Sequence, residues 1–309
     1  MNNGSTDSVD RPRRAYPLVI LAVLLFSVSP ILVRFASGAP GISVAALRTI
    51  FAALVVLPVA LLRSSSEIRS FKRNDWFLIV TAGVLLAGHF VTWIEALYHT
   101  TVSSASVLVA SSPIVLALLG YFILKERLTP IVLLAVMGGV AGAVVLGLGD
   151  HGASVATAGN ASFGNALALT AACLFSVYFI IGRIVRQSTS WLGYVGPLYF
   201  VVAVATVSFA LLRGATLLGF EPKIYVLCAL MGIGPQIIGH GSFNYAVKYF
   251  SPTLLGLFGL MEPVGATLYA FLLFGEVPTV VSFIGTAILL GSVAVALIAS
   301  DRGKVPESA

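Results

Sequence analysis

Residues 17–36 read PLVILAVLLFSVSPILVRFA, a run of twenty in which only Arg34 carries a charge. Coiled into a helix, the run is apolar on every face and leaves no polar side for water. A hydrocarbon core about 30 Å thick needs roughly 20 helical residues to cross it. The stretch therefore reads as a transmembrane helix. It does not alternate, which argues against a barrel strand. The polar residues Met1 to Tyr16 precede it without a small-residue cleavage site, so a retained first helix is expected rather than a removed signal peptide.

Working outward, the same kind of run recurs along the chain. The candidates are 17–36, 43–62, 76–98, 102–123, 130–149, 163–185, 191–212, 223–246, 252–274 and 279–299. Across 309 residues, 58% are hydrophobic and 10% charged, and the mean hydropathy is +1.01. Soluble domains carry about 25% charged residues, so lipid must be the solvent for most of this chain. The connections 37–42 and 99–101 are short, as between antiparallel neighbours. The net charge of +6 is spread over short loops, which excludes a nucleic-acid patch. Cys173 and Cys228 lie inside apolar runs and read as core residues.

Loop charges orient the chain. An internal N-terminus places thirteen Lys and Arg residues on the cytoplasmic side, including Arg63, Arg69, Lys72 and Arg73, and leaves only Arg213 and Lys223 outside. Both termini are then cytoplasmic, in a multi-pass protein of the cell inner membrane or plasma membrane.

The opening run also holds the first half of an internal match. Leu25-Phe26-Ser27-Val28 returns as Leu174-Phe175-Ser176-Val177, and the same offset places Arg34 on Arg183. In nearly the same register Ala96 falls on Ala246, Pro113 on Pro263, Glu126 on Glu276 and Thr129 on Thr279. The chain divides into a flexible N-terminus (1–16), a first repeat (17–149), a Gly/Ala/Ser/Asn-rich linker (150–162), a second repeat (163–299) and a tail (300–309). Five spans per repeat is an odd number, so the second copy enters the membrane upside down. The expected fold is all-α integral membrane, ten transmembrane helices as two inverted five-helix repeats. Such symmetry suits alternating access around a mid-membrane site. Duplication serving folding alone is the other reading.

An ionisable group in hydrocarbon costs at least about 2.5 kcal/mol at a helix centre, so polar residues inside the spans are the functional candidates. Glu262 lies near the middle of span 252–274 beside Pro263, which removes a backbone donor. It reads as a proton carrier, as an acceptor for a cationic group, or as a carboxyl that packs helices. Glu95 and His99 are four apart on one face of span 76–98, and Arg48 lies at similar depth on span 43–62. Arg48 either pairs with Glu95 or grips a substrate carboxylate with its planar fork. His89 and Trp93 are deeper on span 76–98. Gln236, His240 and Asn244 form an i, i+4, i+8 stripe expected to line the cavity. Ser104, Ser111 and Ser112 are expected to pack helices, and Glu126 and Glu276 to bond at helix ends.

Gly147-Leu-Gly-Asp-His-Gly152 spells a dinucleotide fingerprint but follows a membrane helix, not a strand. No phosphate loop, HExxH, CxxC or GxSxG motif occurs in the sequence. No cofactor or metal is expected, and no enzymatic role.

Several segments together carry a resemblance: Arg48 through Leu62, Trp93 through Ser106, Pro113 through Leu128, Phe243 through Thr253, and Glu262-Pro263 through Glu276. They resemble the EamA family of the drug/metabolite transporter superfamily over nearly all of 17–299. The resemblance implies a ten-helix secondary transporter, usually an exporter, of amino acids, sugars or amphipathic drug-like compounds. It also implies that spans 1–4 and 6–9 surround the cavity while 5 and 10 pack behind. Gly138 and Gly142 in span 5 form a small-xxx-small pair suited to that packing. A passive facilitator and an integral-membrane lipid enzyme are the competing readings. The expected partners are a small-molecule substrate and the lipid bilayer, with monomer and homodimer both open.

Overall fold

The computed structural model describes residues 15–100, 102–126, 129–149, 160–274 and 279–302. Glu276, Arg127 and most of the linker lie outside the described residues. The described residues are helical, with no strand among them. The first half holds α1 (Ala15–Phe35), α2 (Gly41–Arg63), the short α3 (Ser65–Ser70), α4 (Arg73–His99), α5 (Val102–Val109), α6 (Ser112–Ile123) and α7 (Pro130–Gly149). The second holds α8 (Ala161–Arg186), α9 (Trp191–Leu212), α10 (Pro222–Met231), a π-helical segment Gly232–His240, α11 (Gly241–Ala246), α12 (Pro252–Gly259), α13 (Glu262–Phe274) and α14 (Val280–Arg302). Among the described residues, eight stretches are long and apolar enough to cross a membrane. The other two expected spans are occupied by α7 and by α12 with α13.

Local chemistry sets the helix starts. Pro130, Pro222 and Pro252 open α7, α10 and α12, where a missing N–H costs nothing. The side chains of Asn160, Ser190 and Ser251 each accept the N–H three residues on, capping α8, α9 and α12. The outer surface is apolar: Leu62 and Leu212 are each 85% exposed. In water each such side chain would forgo roughly 1.5–3 kcal/mol of burial energy, so this face belongs in lipid.

Three expected spans are not uniform α-helices. Span 102–123 is interrupted at Ala110-Ser111, and span 252–274 at Leu260-Met261. Pro113 and Pro263 follow these breaks, and each lacks the N–H that would close on Val109 or Gly259. Within span 223–246 the sequence GIGPQIIGH supplies a proline and three glycines, and the backbone switches to π-helical i→i+5 bonding.

α7 packs most extensively on α14, α4 on α8, and α2 on α9. The α7–α14 pair requires glycine. A Cβ on Gly142 would lie 2.8 Å from the Leu289 nitrogen, and one on Gly285 2.3 Å from the Leu146 nitrogen. The small-residue pair thus brings two backbones together, as sequence spacing implies.

The bundle has two ends, named here by Arg63 and His99. At the Arg63 end α6 and α12 pack closely, with Gly256 against Leu116 and Pro113. Toward the His99 end the same two arms part, α5 leaning on α8 and α13 on α1. The cavity lies in the space this divergence leaves.

Candidate functional site

The cavity and the open solvent at its mouth together take up about 730 Å³ of empty space. Its polar lining comes from Ser29, Arg48, His89, Ser106, Ser112, His240 and Glu262, and its rings from Phe26, Phe90, Trp93, Phe175 and Phe243. Helices from both halves of the chain therefore meet at it: α1, α2, α4, α5–α6, α8 and the helices between Pro222 and Phe274.

Arg48 is the dominant charge. It is 1% exposed, its Nε donates to Oε1 of Gln236 at 3.3 Å, and its guanidinium stacks 4.3 Å above the Phe90 ring. Among the described residues no carboxylate lies within ion-pair distance of it. A buried cation held by an amide and a ring keeps its attraction for an anion, because neither neighbour neutralises it. Gly232 makes this placement possible: a Cβ there would meet the Arg48 carbonyl at 2.6 Å, so the π segment presses directly on α2.

Of the two readings of Arg48, the pair with Glu95 does not form. Glu95 instead faces His99 at 3.8 Å, one turn along α4, and its carboxylate sits over Gly41 where α2 begins. These two residues are partly exposed near the His99 end and do not line the cavity.

His89 and His240 stand side by side, ring centroids 5.8 Å apart. His89 Nδ1 is 2.9 Å from the carbonyl of Ala171. Since a carbonyl only accepts, Nδ1 carries the proton. His240 packs edge-on against Phe26 at 4.9 Å and Phe90 at 5.0 Å. Glu262 opens α13 at the cavity wall, facing the positive end of that helix. Among the described residues it has no hydrogen-bond or ion-pair partner.

The stripe on span 223–246 divides three ways. His240 lines the cavity, Gln236 holds Arg48, and Asn244 lies buried deeper, away from the cavity. The π-helical backbone explains the division, because an α-helical i, i+4 count no longer marks one face. Ser112 lines the cavity, and its carbonyl accepts from Ser176. The Ser111 hydroxyl, in the break, donates back to the Leu108 carbonyl at the end of α5. Sequence reasoning did not single out Phe26, Ser29, Phe90, Ser106, Phe175 or Phe243. Aromatics and serines are common in membrane helices, and the sequence carries no mark that separates these from packing residues.

The model of the EamA-like transporter family matches residues 13–148 and again 162–298. The chain belongs to this family. It is 25% identical over 288 residues to the aromatic amino acid exporter YddG of Ancylobacter novellus, covering 91% of this chain and 96% of that protein. An uncharacterized transporter of Clostridium kluyveri is 25% identical over 254 residues, 78% of each chain. Human solute carrier family 35 member G1 is 21% identical over 269 residues, 84% of this chain and 72% of that one. A crystal structure at 23% identity matches 96% of this chain and 100% of its own with a TM-score of 0.78, which shows a shared fold. The protein is a multi-pass membrane transporter of the drug/metabolite type, in the cell membrane.

Proposed function

We propose that the cavity is the substrate site of a secondary exporter of small amphipathic metabolites that pair a carboxylate with an apolar or aromatic body. The observation that carries this reading is Arg48: a buried guanidinium with no carboxylate partner among the described residues, set in a ring-lined cavity. The arginine fork would take the carboxylate, and the five rings would hold the body. Glu262 lines the same cavity and would serve as acceptor for an amine or as proton carrier. Export of aromatic amino acids by the Ancylobacter novellus relative is consistent with this substrate class.

The mechanism we infer is alternating access of two inverted five-helix repeats, ten spans in all, with both termini cytoplasmic. Two matches to one family model support the duplication. Helix pairing supports the symmetry: α1 packs on α12–α13 as α8 packs on α5–α6. Under this orientation the closed Arg63 end is cytoplasmic and the parted His99 end is external. The closed end favours a carrier over a passive channel, and we assign the chain no enzymatic role.

The test is flux in proteoliposomes over a panel of aromatic amino acids, sugars and organic cations, with and without a pH gradient. A carrier saturates and exchanges solute across the membrane. Equilibration without counter-transport would replace this reading with a channel. Glu262→Gln should abolish gradient-driven flux while binding survives, and undiminished gradient-driven flux in that variant ends the proton-coupling element.

A further inference from the structure

Between the cavity and the Arg63 end, α8, α9 and α11 enclose a second group of polar side chains that the substrate site does not use. Tyr178 and Tyr194 are 0% exposed, as is Asn244. Within the protein the hydroxyls of both tyrosines and both polar atoms of the Asn244 amide are without hydrogen-bond partners among the described residues. The Tyr178 hydroxyl faces the Asn244 amide but closes no well-formed bond with it. Buried polar atoms are nearly always satisfied, and where protein supplies no partner, ordered water does.

Gly182 faces the group with no side chain, and a Cβ there would lie 3.1 Å from the Tyr194 hydroxyl and 3.6 Å from the Asn244 oxygen. The group is continuous in both directions. Toward the cavity, the Tyr178 ring is 6.4 Å from that of His240, whose Nδ1 is also unpartnered. Toward the Arg63 end, Arg186 donates from Nε to the Asn244 carbonyl at 2.9 Å and from Nη1 to the Thr189 carbonyl. Tyr199 is the contrasting case. It is equally buried, yet its hydroxyl donates to the Gln236 carbonyl at 2.6 Å and so is already satisfied.

We propose that Tyr178, Tyr194, Asn244 and Gly182 form a water-binding chamber that lines the solute's route between the cavity and the Arg63 end. The water site stands on burial and geometry alone; its place on the route rests on the transport reading above. An arrangement of this kind serves a carrier, because polar groups kept hydrated while their end is closed need no new desolvation when it opens.

X-ray radiolytic hydroxyl labelling of the full chain in nanodiscs, read by mass spectrometry, reports water held beside buried side chains. Tyr178 and Tyr194 should label several-fold faster than Tyr199, and Gly182→Ala should bring Tyr194 down toward Tyr199. Labelling of all three at the slow Tyr199 rate in the unmodified protein overturns the water site. Tyr178→Phe and Tyr194→Phe should slow solute exchange in proteoliposomes while solute binding to the cavity is retained. Fast labelling with exchange unchanged in both variants overturns the chamber's place on the route. A wild-type protein that moves no solute at all would count against the transport reading instead, and the labelling result would stand.

Discussion

Arg48 on α2 and Gln236 in the π-helical segment are joined by a hydrogen bond of 3.3 Å, from the guanidinium Nε to the amide Oε1. The bond fixes one edge of the guanidinium to the second half of the chain. A helix from each half thus holds the charge that we assign to substrate recognition.

Arg48→Lys retains a cation but loses the fork and the stacking over Phe90. Solute affinity should fall by about tenfold or more, equivalent to about 1.4 kcal/mol. Gln236→Leu should weaken binding less, since the guanidinium keeps its place above the ring. Ligand-induced shifts in thermal unfolding measure both. Equal affinity for Arg48→Lys and wild type would remove the bidentate role.

Glu67 on α3 reaches the start of α9. The Ser190 amide donates to its Oε1 at 2.6 Å, and the Ser190 hydroxyl donates to its Oε2. A carboxylate at a helix N-terminus satisfies orphan N–H groups and the helix dipole, typically for about 0.5–2 kcal/mol. Glu67→Ala should lower the unfolding temperature and open the Arg63 end to hydrogen exchange, most clearly at the first turn of α9. Unchanged exchange there would show that the contact does not hold this end closed.

The α7–α14 pair should be intolerant of side chains. Gly285→Val places atoms where the Leu146 backbone already sits, and overpacking costs about 1–3 kcal/mol even where neighbours yield. Size-exclusion profiles should show loss of monodisperse protein, whereas Gly291→Ala, with nothing within 4 Å of its Cβ, should be neutral.

Glu126 lies in the loop after α6, its carboxylate over Gly120. Burial holds its carboxyl above the usual carboxylate range, with Arg183 pulling in the opposite sense. A carboxyl raised on folding binds its proton more readily in the native state, so its effect is to reduce stability as pH rises through that window. Glu126→Gln should therefore melt higher than wild type at neutral pH, by about 1–2 °C on the usual scaling. The gap should close as pH falls toward about 4. A constant gap across that range would assign the effect to packing.

Sequence made the helical runs and the α7–α14 seam legible, because both depend on composition and spacing that backbone context does not alter. It also marked Arg48, His89, Trp93, His240 and Glu262, since an ionisable or amphipathic group in hydrocarbon needs a reason. It misjudged the face of Asn244 because the stripe was counted at α-helical pitch, and Gly232–His240 is π-helical. It set Glu95 and His99 on one face of the same helix, where they do meet, and left open whether Arg48 pairs with Glu95, because shared depth does not fix lateral position. The four phenylalanines of the lining carried no sequence signal, for rings that line a cavity and rings that meet lipid are the same residues.

The most direct test of the account is solute exchange in proteoliposomes by wild type and Arg48→Gln, using an aromatic amino acid and its carboxamide. Wild type should exchange the acid saturably and little of the carboxamide, and the variant should lose the acid's advantage. Exchange of acid and carboxamide at equal rates by wild type, unchanged in Arg48→Gln, would contradict it.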